Sequence, residues 1–133
     1  MIYCLDTDIL IEYLRGNEKI KRRIQEVSEK DSIVLTWFSF YELFKGIFAT
    51  GKLEEETFLQ RMAKSSKVLE SSYESARIGG EIYANLKRRG QLINDADILI
   101  ASIVRNQKAV LVTNNEEHFS RINGLRVENW LKS

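Results

Sequence analysis

The spacing of hydrophobic residues changes near the start of the chain, at Asp6. Residues 2–5 are apolar and favour β structure, and a run this short predicts a strand buried on both faces. Beyond Asp6 the apolar side chains recur at helical spacing, at Ile9, Leu10, Tyr13 and Leu14. Asp6 is therefore predicted to stand where a strand ends and a helix begins, at the edge of a parallel sheet where ligand clefts form.

Short apolar runs alternate with amphipathic segments through the rest of the chain. Further strands are predicted at residues 33–35, 67–69, 109–112 and 126–127. Helices are predicted over residues 18–30, 36–50, 53–64, 71–89 and 97–104. Strands separated by helices are typical of an α/β fold with a short, mostly parallel sheet. The chain, residues 1–133, is expected to form a single domain.

Composition removes several classes of protein. No apolar run approaches the ~20 residues of a membrane span and no secretory signal is visible, so we expect a cytoplasmic protein without a membrane anchor. The single cysteine, Cys4, cannot form an internal disulfide and is predicted to be buried. Lysine and arginine number 20 against 19 acids. This balance argues against binding nucleic acid through bulk charge, but it leaves room for a local basic rim.

Three carboxylates stand at element junctions or among apolar neighbours. Asp6 follows the first strand, Glu42 is the one acid within the aromatic segment 37–48, and Asp97 heads a strongly apolar helix. Each has an ordinary structural explanation, because aspartate is a good N-cap residue and Glu42 fits an exposed helical face. A second explanation covers all three, since buried lone carboxylates are costly unless they are paired, protonated or metal-bound. Three such oxygen ligands would suit a hard cation such as Mg²⁺.

Four segments carry a family resemblance and occur in the family's order. They are Leu5-Asp6-Thr7-Asp8-Ile9-Leu10-Ile11, Ser39-Phe40-Tyr41-Glu42-Leu43 with Gly46, Asp97-Ile98-Leu99-Ile100-Ala101, and Leu111-Val112-Thr113-Asn114-Asn115 with Phe119, Gly124-Leu125 and Trp130. Spread over nearly the whole chain, they resemble the motifs of PIN-domain proteins, specifically the toxin ribonucleases of the VapC type. The resemblance implies a PIN-like three-layer α/β/α domain with a short, mostly parallel central sheet.

The resemblance also implies an activity, that of a metal-dependent endoribonuclease hydrolysing RNA phosphodiester bonds, the toxin of a toxin–antitoxin pair. In such an enzyme Asp6 and Asp97 would bind Mg²⁺ or Mn²⁺, and Glu42 would complete the acidic cluster. The chemistry is consistent, because a hard metal lowers the pKa of bound water and carboxylates supply its oxygen ligands.

One position departs from the family pattern. The family's fourth acidic position is often aspartate, and here it is Asn115, which leaves a second metal site in question. Asp95, Asp8 and Glu116 are candidates to supply the missing charge, although each also fits an exposed polar residue or a cap. Thr113 matches a polar position beside the site, where it would orient a ligand or bond the backbone at a strand end.

The partners implied by the resemblance are an RNA substrate, a second copy in a homodimer, and a VapB-type antitoxin whose tail occupies the cleft. Within the chain, one segment holds more aromatic residues than one helix face can bury: Trp37, Phe38, Phe40, Tyr41, Phe44 and Phe48. Because aromatic residues are enriched at interfaces, this surplus favours a docking surface.

RNA beside an acidic cleft needs a basic rim to hold its phosphates. Arg15 and Lys45 are the candidates for that rim. The run Lys87-Arg88-Arg89 is explained more simply as a solvated helix end, because cations favour the carboxyl end of the helix dipole.

Other chemistries fit the sequence less well. Paired-imidazole catalysis is excluded because His118 is the single histidine, and with one cysteine, Cys4, a tetrahedral zinc site is disfavoured. His118 is predicted to lie on the surface in the last short helix. A haloacid-dehalogenase-type phosphatase, with Asp6 as nucleophile and Asp8 as general acid, leaves Glu42 unexplained. A non-catalytic PIN-like protein that binds RNA or a partner is a further alternative, favoured only by Asn115.

Overall fold

Five short parallel strands form the centre of the molecule in the computed structural model, which describes residues 1–132. They are β1 Ile2–Leu5, β2 Ser32–Thr36, β3 Lys67–Leu69, β4 Val110–Val112 and β5 Arg126–Glu128. The order across the sheet is β3-β2-β1-β4-β5, and every neighbouring pair is parallel. The predicted α/β fold with a short parallel sheet is confirmed, and Asp6 follows its middle strand.

Helices connect the strands, close to the predicted bounds. They are α1 Thr7–Leu14, α2 Glu18–Ser28, α3 Trp37–Thr50, α4 Glu56–Ser65, α5 Tyr73–Arg88, α6 Asp95–Asn106 and α7 Glu116–Phe119. The predicted helix over 53–64 differs at its start, where a 3₁₀ turn at Leu53–Glu55 precedes α4 and Glu55 provides no side-chain cap. Within residues 1–132 no helix combines the length and apolar character needed to cross a membrane.

Two hydrophobic clusters pack on opposite faces of the sheet. Side chains alternate between the faces along a strand, so Cys4 packs in one cluster and Leu5 in the other, and both are buried. The Cys4 cluster contains core residues of α5, α6 and α7, and the Leu5 cluster contains core residues of α1, α2, α3 and α4. The sheet is thus the middle of three layers, as the resemblance implied, and β1 is buried on both faces as predicted.

The register of the central strands places polar residues side by side at their carboxyl ends. Leu5 of β1 pairs with Val112 of β4, and the backbone N–H of Asp6 donates to the Val112 carbonyl at 2.9 Å. Asp6 directly follows β1 and Thr113 directly follows β4, so these two residues lie side by side. This edge of the sheet is where an open parallel sheet forms its ligand cleft.

Candidate active site

Asp6 occupies the centre of the sheet edge and is only 9% exposed. It is the N-cap of α1, with one carboxylate oxygen accepting the Thr7 backbone N–H at 2.9 Å. The other oxygen accepts the Thr113 hydroxyl at 2.8 Å. Burial raises the pKa of Asp6 to about 7, the negative charges of Asp8 and Asp97 add to the rise, and the two hydrogen bonds oppose it. Asp6 is thus both a cap and a carboxylate that burial and neighbouring acids make costly to ionise.

Asp8 lies beside Asp6, two residues into the same turn. Its Oδ2 accepts the Asn114 backbone N–H at 3.0 Å and lies 3.4 Å from the Thr113 hydroxyl. Its Oδ1 is buried and has no hydrogen-bond partner among residues 1–132. Burial raises the pKa of Asp8 above its ordinary value. Since buried polar atoms normally have a partner, this oxygen favours a cation or an ordered water at the site.

Glu42 reaches the same edge from α3. The Thr7 hydroxyl donates to Glu42 Oε1 at 2.6 Å, and Ser39 Oγ lies 3.1 Å from that hydroxyl. Glu42 is half-buried, so the interpretation of a freely exposed helical face is wrong. Thr7 stands in the first of the four motifs, but its contact with Glu42 was not predicted, because it joins residues 35 positions apart.

Asp97 lies in the first turn of α6, and its cap explanation is wrong. Asn94 is the N-cap instead, with its side-chain oxygen accepting the Asp97 backbone N–H at 2.8 Å and its Nδ2 donating to Asp97 Oδ2 at 3.1 Å. Burial raises the pKa of Asp97, and the charge of Glu42 contributes, while Asn94 and His118 act in the opposite direction. Asp97 therefore has a carboxylate held in place by a neighbour and subject to the fields of the other acids.

His118 belongs to this site, which the sequence reasoning missed. Its Nδ1 lies 3.7 Å from Asp97 Oδ2 and 3.1 Å from Asn115 Nδ2. His118 lies in the short last helix, α7, with its side chain 40% exposed, as predicted for a surface histidine, but its contact with Asp97 was not predicted. A usable signal was the three-residue spacing from Asn115, which puts the two side chains on the same turn. Asn115 also donates its backbone N–H to Thr113 Oγ1 at 3.0 Å.

The other candidates for the missing charge differ in position. Asp95 is exposed in the first turn of α6 and forms no side-chain hydrogen bond within residues 1–132. Glu116 is paired with Lys132 at 2.5 Å and lies 3.4 Å from Asn129 Nδ2, contacts that lower its pKa. Of the three candidates, Asp8 is the one in contact with Thr113, the residue that also binds Asp6.

The predicted rim residues lie on the surface near Glu42. Arg15 is exposed, lines a cleft with Glu42, and pairs with Glu12 at 3.6 Å. The Lys45 ammonium lies 5.5 Å from the centre of the Tyr41 ring. In the 87–89 run, the Arg89 guanidinium donates to Asn85, Gln91 and the Arg121 carbonyl, which fits the helix-end interpretation of this run.

The donor set suits a hard divalent cation. Asp6, Asp8, Glu42 and Asp97 supply carboxylate oxygens, and no lysine or arginine of residues 1–132 forms an ion pair with any of them. Within the same residues, no three Asp, Glu, His or Cys side chains are grouped closely enough to hold a metal ion by themselves. Mg²⁺ is commonly held by one or two carboxylates, with waters and substrate phosphate completing its shell, so the arrangement fits Mg²⁺ or Mn²⁺.

Removing the Thr113 hydroxyl tests how tightly the centre of the site is held. Thr113→Val keeps the shape but leaves Asp6 Oδ2 and the Asn115 N–H without the hydroxyl that binds them, so the free energy of unfolding should fall by about 1–3 kcal/mol. Urea unfolding measures this. Thr57→Val, on the exposed face of α4, is the matched control and should change stability by less than about 0.5 kcal/mol. Equal effects of the two substitutions would mean that the Thr113 hydroxyl does not support the site.

Comparisons with known proteins agree with this geometry. A family model described as PIN domain matches residues 3–125. Ribonuclease VapC1 of Haemophilus influenzae strain R2866 is 30% identical over 134 residues, covering 99% of this chain and all of the relative.

Two solved structures have the same fold. The crystal structure of VapBC2 from Rickettsia felis, bound to a DNA fragment from its promoter, has a TM-score of 0.91 at 28% identity and covers 98% of this chain and 99% of that one. VapBC-1 from nontypeable Haemophilus influenzae has a TM-score of 0.88 at 30% identity, covering 99% of this chain and 100% of that one. The chain therefore belongs to the PIN domain family, within its group of VapC ribonucleases.

Proposed function

We propose that this protein is a Mg²⁺- or Mn²⁺-dependent endoribonuclease, the toxin of a toxin–antitoxin pair, whose metal is held by Asp6 and Asp97. The observation that carries the proposal is the convergence of Asp6, Asp8, Glu42 and Asp97 at one sheet edge without a neutralising lysine or arginine. Burial raises the pKa values of Asp6, Asp8 and Asp97, as expected of acids that a cation would neutralise. Family membership supplies the class of reaction.

The side chains of the site would have different roles in phosphodiester hydrolysis. A divalent ion, when bound, supplies a water of lowered pKa and neutralises charge on the phosphate. Glu42 Oε1 is fixed by the Thr7 hydroxyl, while Oε2 has no side-chain hydrogen bond within residues 1–132 and is free to accept a proton from the attacking water. Asn94 fixes the Asp97 carboxylate and Thr113 fixes that of Asp6, so both ligands are oriented before metal arrives.

Charge at position 115 bears on whether a second ion binds. Asn115→Asp should tighten Mn²⁺ binding by roughly tenfold. Two unit charges ~4 Å apart attract each other by about 1 kcal/mol in bulk water and by about 4 kcal/mol near a protein surface. Calorimetric titration with Mn²⁺ measures both affinity and the number of ions. Asn123→Asp, on an exposed loop, adds the same charge elsewhere and should leave the affinity unchanged. An unaltered affinity in Asn115→Asp would place the metal away from this position.

The proposed partners are a VapB-type antitoxin and a second copy of the chain. The solved relatives are VapBC complexes. In this chain a cleft of about 450 Å³, lined largely by apolar residues of α1, α3 and α4, opens beside Glu42, where an antitoxin tail would block the site. Acting on RNA beside such an antitoxin, the protein is proposed to be cytoplasmic.

The homodimer is supported by the exposed part of the aromatic segment. Trp37, Tyr41 and Phe48 are exposed, whereas Phe38, Phe40 and Phe44 are half-buried against the core clusters. The Trp37 and Phe38 rings stack with centroids 4.2 Å apart. Measuring molecular mass at micromolar concentration tests the dimer, and a strictly monomeric species would contradict it.

Comparing two substrates tests the function against its alternatives. With Mn²⁺ the protein should cleave RNA and leave p-nitrophenyl phosphate unhydrolysed. Family membership already contradicts the phosphatase alternative, since the chain is a PIN domain and its Glu42 is tied to the site through Thr7. Absence of cleavage on every RNA, with RNA or antitoxin binding retained, would instead support the non-catalytic alternative.

A further inference from the structure

A second cleft, of about 360 Å³, lies between α2 and the segment that follows β5. Four cations, Lys19, Arg22, Arg23 and Lys132, and two carboxylates, Glu26 and Glu128, line it. We call it the α2 cleft. The chain as a whole has a formal charge of only +1, so this local excess of positive charge is a feature of one face of the protein. Excess cations in a concave surface attract polyanions.

Helix stability does not explain the position of these cations. Lys19 and Lys21 fall within the first turn of α2, near the positive end of the helix dipole, where positive charge is unfavourable, and Arg22 and Arg23 follow in the second turn. Within residues 1–132, no carboxylate lies within 4.0 Å of the Lys19 or Arg22 side-chain nitrogens. Lys19 donates to the Leu131 carbonyl at 3.0 Å, a contact that leaves its charge unneutralised.

Arg23 is held in a fixed place within the α2 cleft. Its guanidinium carbon lies 5.4 Å from the centre of the Trp130 ring, and Trp130 is only 4% exposed. Glu128 Oε1 accepts the Trp130 indole N–H at 3.0 Å and lies 3.9 Å from an Arg23 nitrogen. An arginine positioned on an aromatic face retains free N–H donors in a fork that matches phosphate oxygens.

The α2 cleft adjoins the acidic site. Asn129, in its lining, donates its amide to the Asn114 side-chain oxygen at 3.0 Å, and the Asn114 backbone N–H donates to Asp8 Oδ2 at 3.0 Å. One residue therefore separates the lining of the cleft from a carboxylate of the site. A strand of RNA passing over the acidic edge would reach these cations directly, while the acids themselves repel its phosphates.

We propose that the α2 cleft binds the phosphate backbone of the RNA substrate beside the scissile bond, through Lys19, Arg22 and Arg23. The proposal rests on the proposed ribonuclease function. An acidic protein segment would satisfy the same charges, but continuity with the site of phosphodiester cleavage favours RNA. The α2 cleft would extend the basic rim predicted at Arg15 and Lys45, which lie on the surface near Glu42.

The test compares two double substitutions in Asp97→Asn protein with EDTA present, so that binding is measured without cleavage. Lys19→Gln/Arg22→Gln removes two cations from the α2 cleft and leaves Arg23 packed on Trp130. Fluorescence anisotropy with labelled single-stranded RNA should show binding weakened roughly 10- to 30-fold at 0.1 M salt. The slope of log affinity against log salt concentration should become shallower by about 1.4, the value for two lost phosphate contacts.

Lys30→Gln/Lys67→Gln is the matched control, since it removes the same charge from exposed residues near the amino ends of the strands. It should bind RNA like the unsubstituted protein. If the two double variants bind RNA with equal affinity and equal salt dependence, the α2 cleft proposal is overturned. Metal-dependent cleavage by the wild-type protein would then still support the ribonuclease function. Loss of antitoxin binding with RNA binding unchanged would also overturn it, in favour of a protein partner. Failure of the wild-type protein both to bind and to cleave RNA would instead overturn the proposed function.

Discussion

Asp97→Asn is expected to reduce metal-activated RNA cleavage by roughly a thousandfold or more. The substitution keeps the shape and the Asn94 contact sites but removes one of the two charges proposed to hold the metal. Losing metal activation should cost about 4 kcal/mol of transition-state stabilisation, at ~1.4 kcal/mol for each factor of ten. Single-turnover cleavage of RNA at saturating Mn²⁺ measures the loss.

Folding of the same variant separates a catalytic effect from a structural one. Burial and the charge of Glu42 both raise the pKa of Asp97, so neutralising this residue relieves repulsion, and the metal-free variant should be at least as stable as the wild-type protein. Asp31→Asn, at the amino end of β2, is the matched control and should retain cleavage. An Asp97→Asn protein that is folded and fully active would remove Asp97 from the mechanism.

The second large effect is a loss of stability of the metal-free protein as pH rises from about 4 to about 7. The pKa of Asp6 is 3.8 in the reference state and about 7 in the fold. Between these values the folded protein retains a proton that the unfolded chain has lost, so the free energy of unfolding falls with rising pH. At ~1.4 kcal/mol for each pKa unit, the contribution of Asp6 is on the order of 4 kcal/mol, fully lost above pH 7.

Comparison with Asp6→Asn isolates this contribution, because asparagine cannot ionise. Urea unfolding across pH 4 to 8 in EDTA should show the wild-type protein losing stability relative to the variant. Adding Mg²⁺ at pH 8 should raise the melting temperature of the wild-type protein and change that of Asp6→Asn little, since an ion that binds only the folded state stabilises it. A difference between the two proteins that is constant with pH would contradict the raised pKa of Asp6.

The hydrophobic period was sufficient to predict the sheet and the position of Asp6. A buried strand and an amphipathic helix have different periods, and the change between them falls where the structure ends β1 and begins α1. Glu42 and Asp97 were identifiable because acids are conspicuous among apolar neighbours. Asp97 was considered as an N-cap and Asn94 was not, although both residue types are good caps and the backbone conformation selects Asn94.

The polar contacts that complete the site were not predictable in the same way. Thr7 meets Glu42, and His118 meets Asp97, only because the fold brings distant segments together. Exposed or half-buried polar residues have no periodic pattern that would reveal such partners. The cations of α2 likewise resemble an ordinary solvated helix face until Trp130 and the segment after β5 are seen beside them.

Restoring activity with metal is the most direct test of the central claim, that the acidic edge is a metal-dependent ribonuclease site. Protein treated with EDTA should leave RNA intact, and adding Mg²⁺ or Mn²⁺ in excess of the EDTA should restore cleavage. Asp97→Asn, purified in parallel, should remain inactive with the same metal. Cleavage that persists undiminished in EDTA, or that appears equally in Asp97→Asn, would contradict the claim.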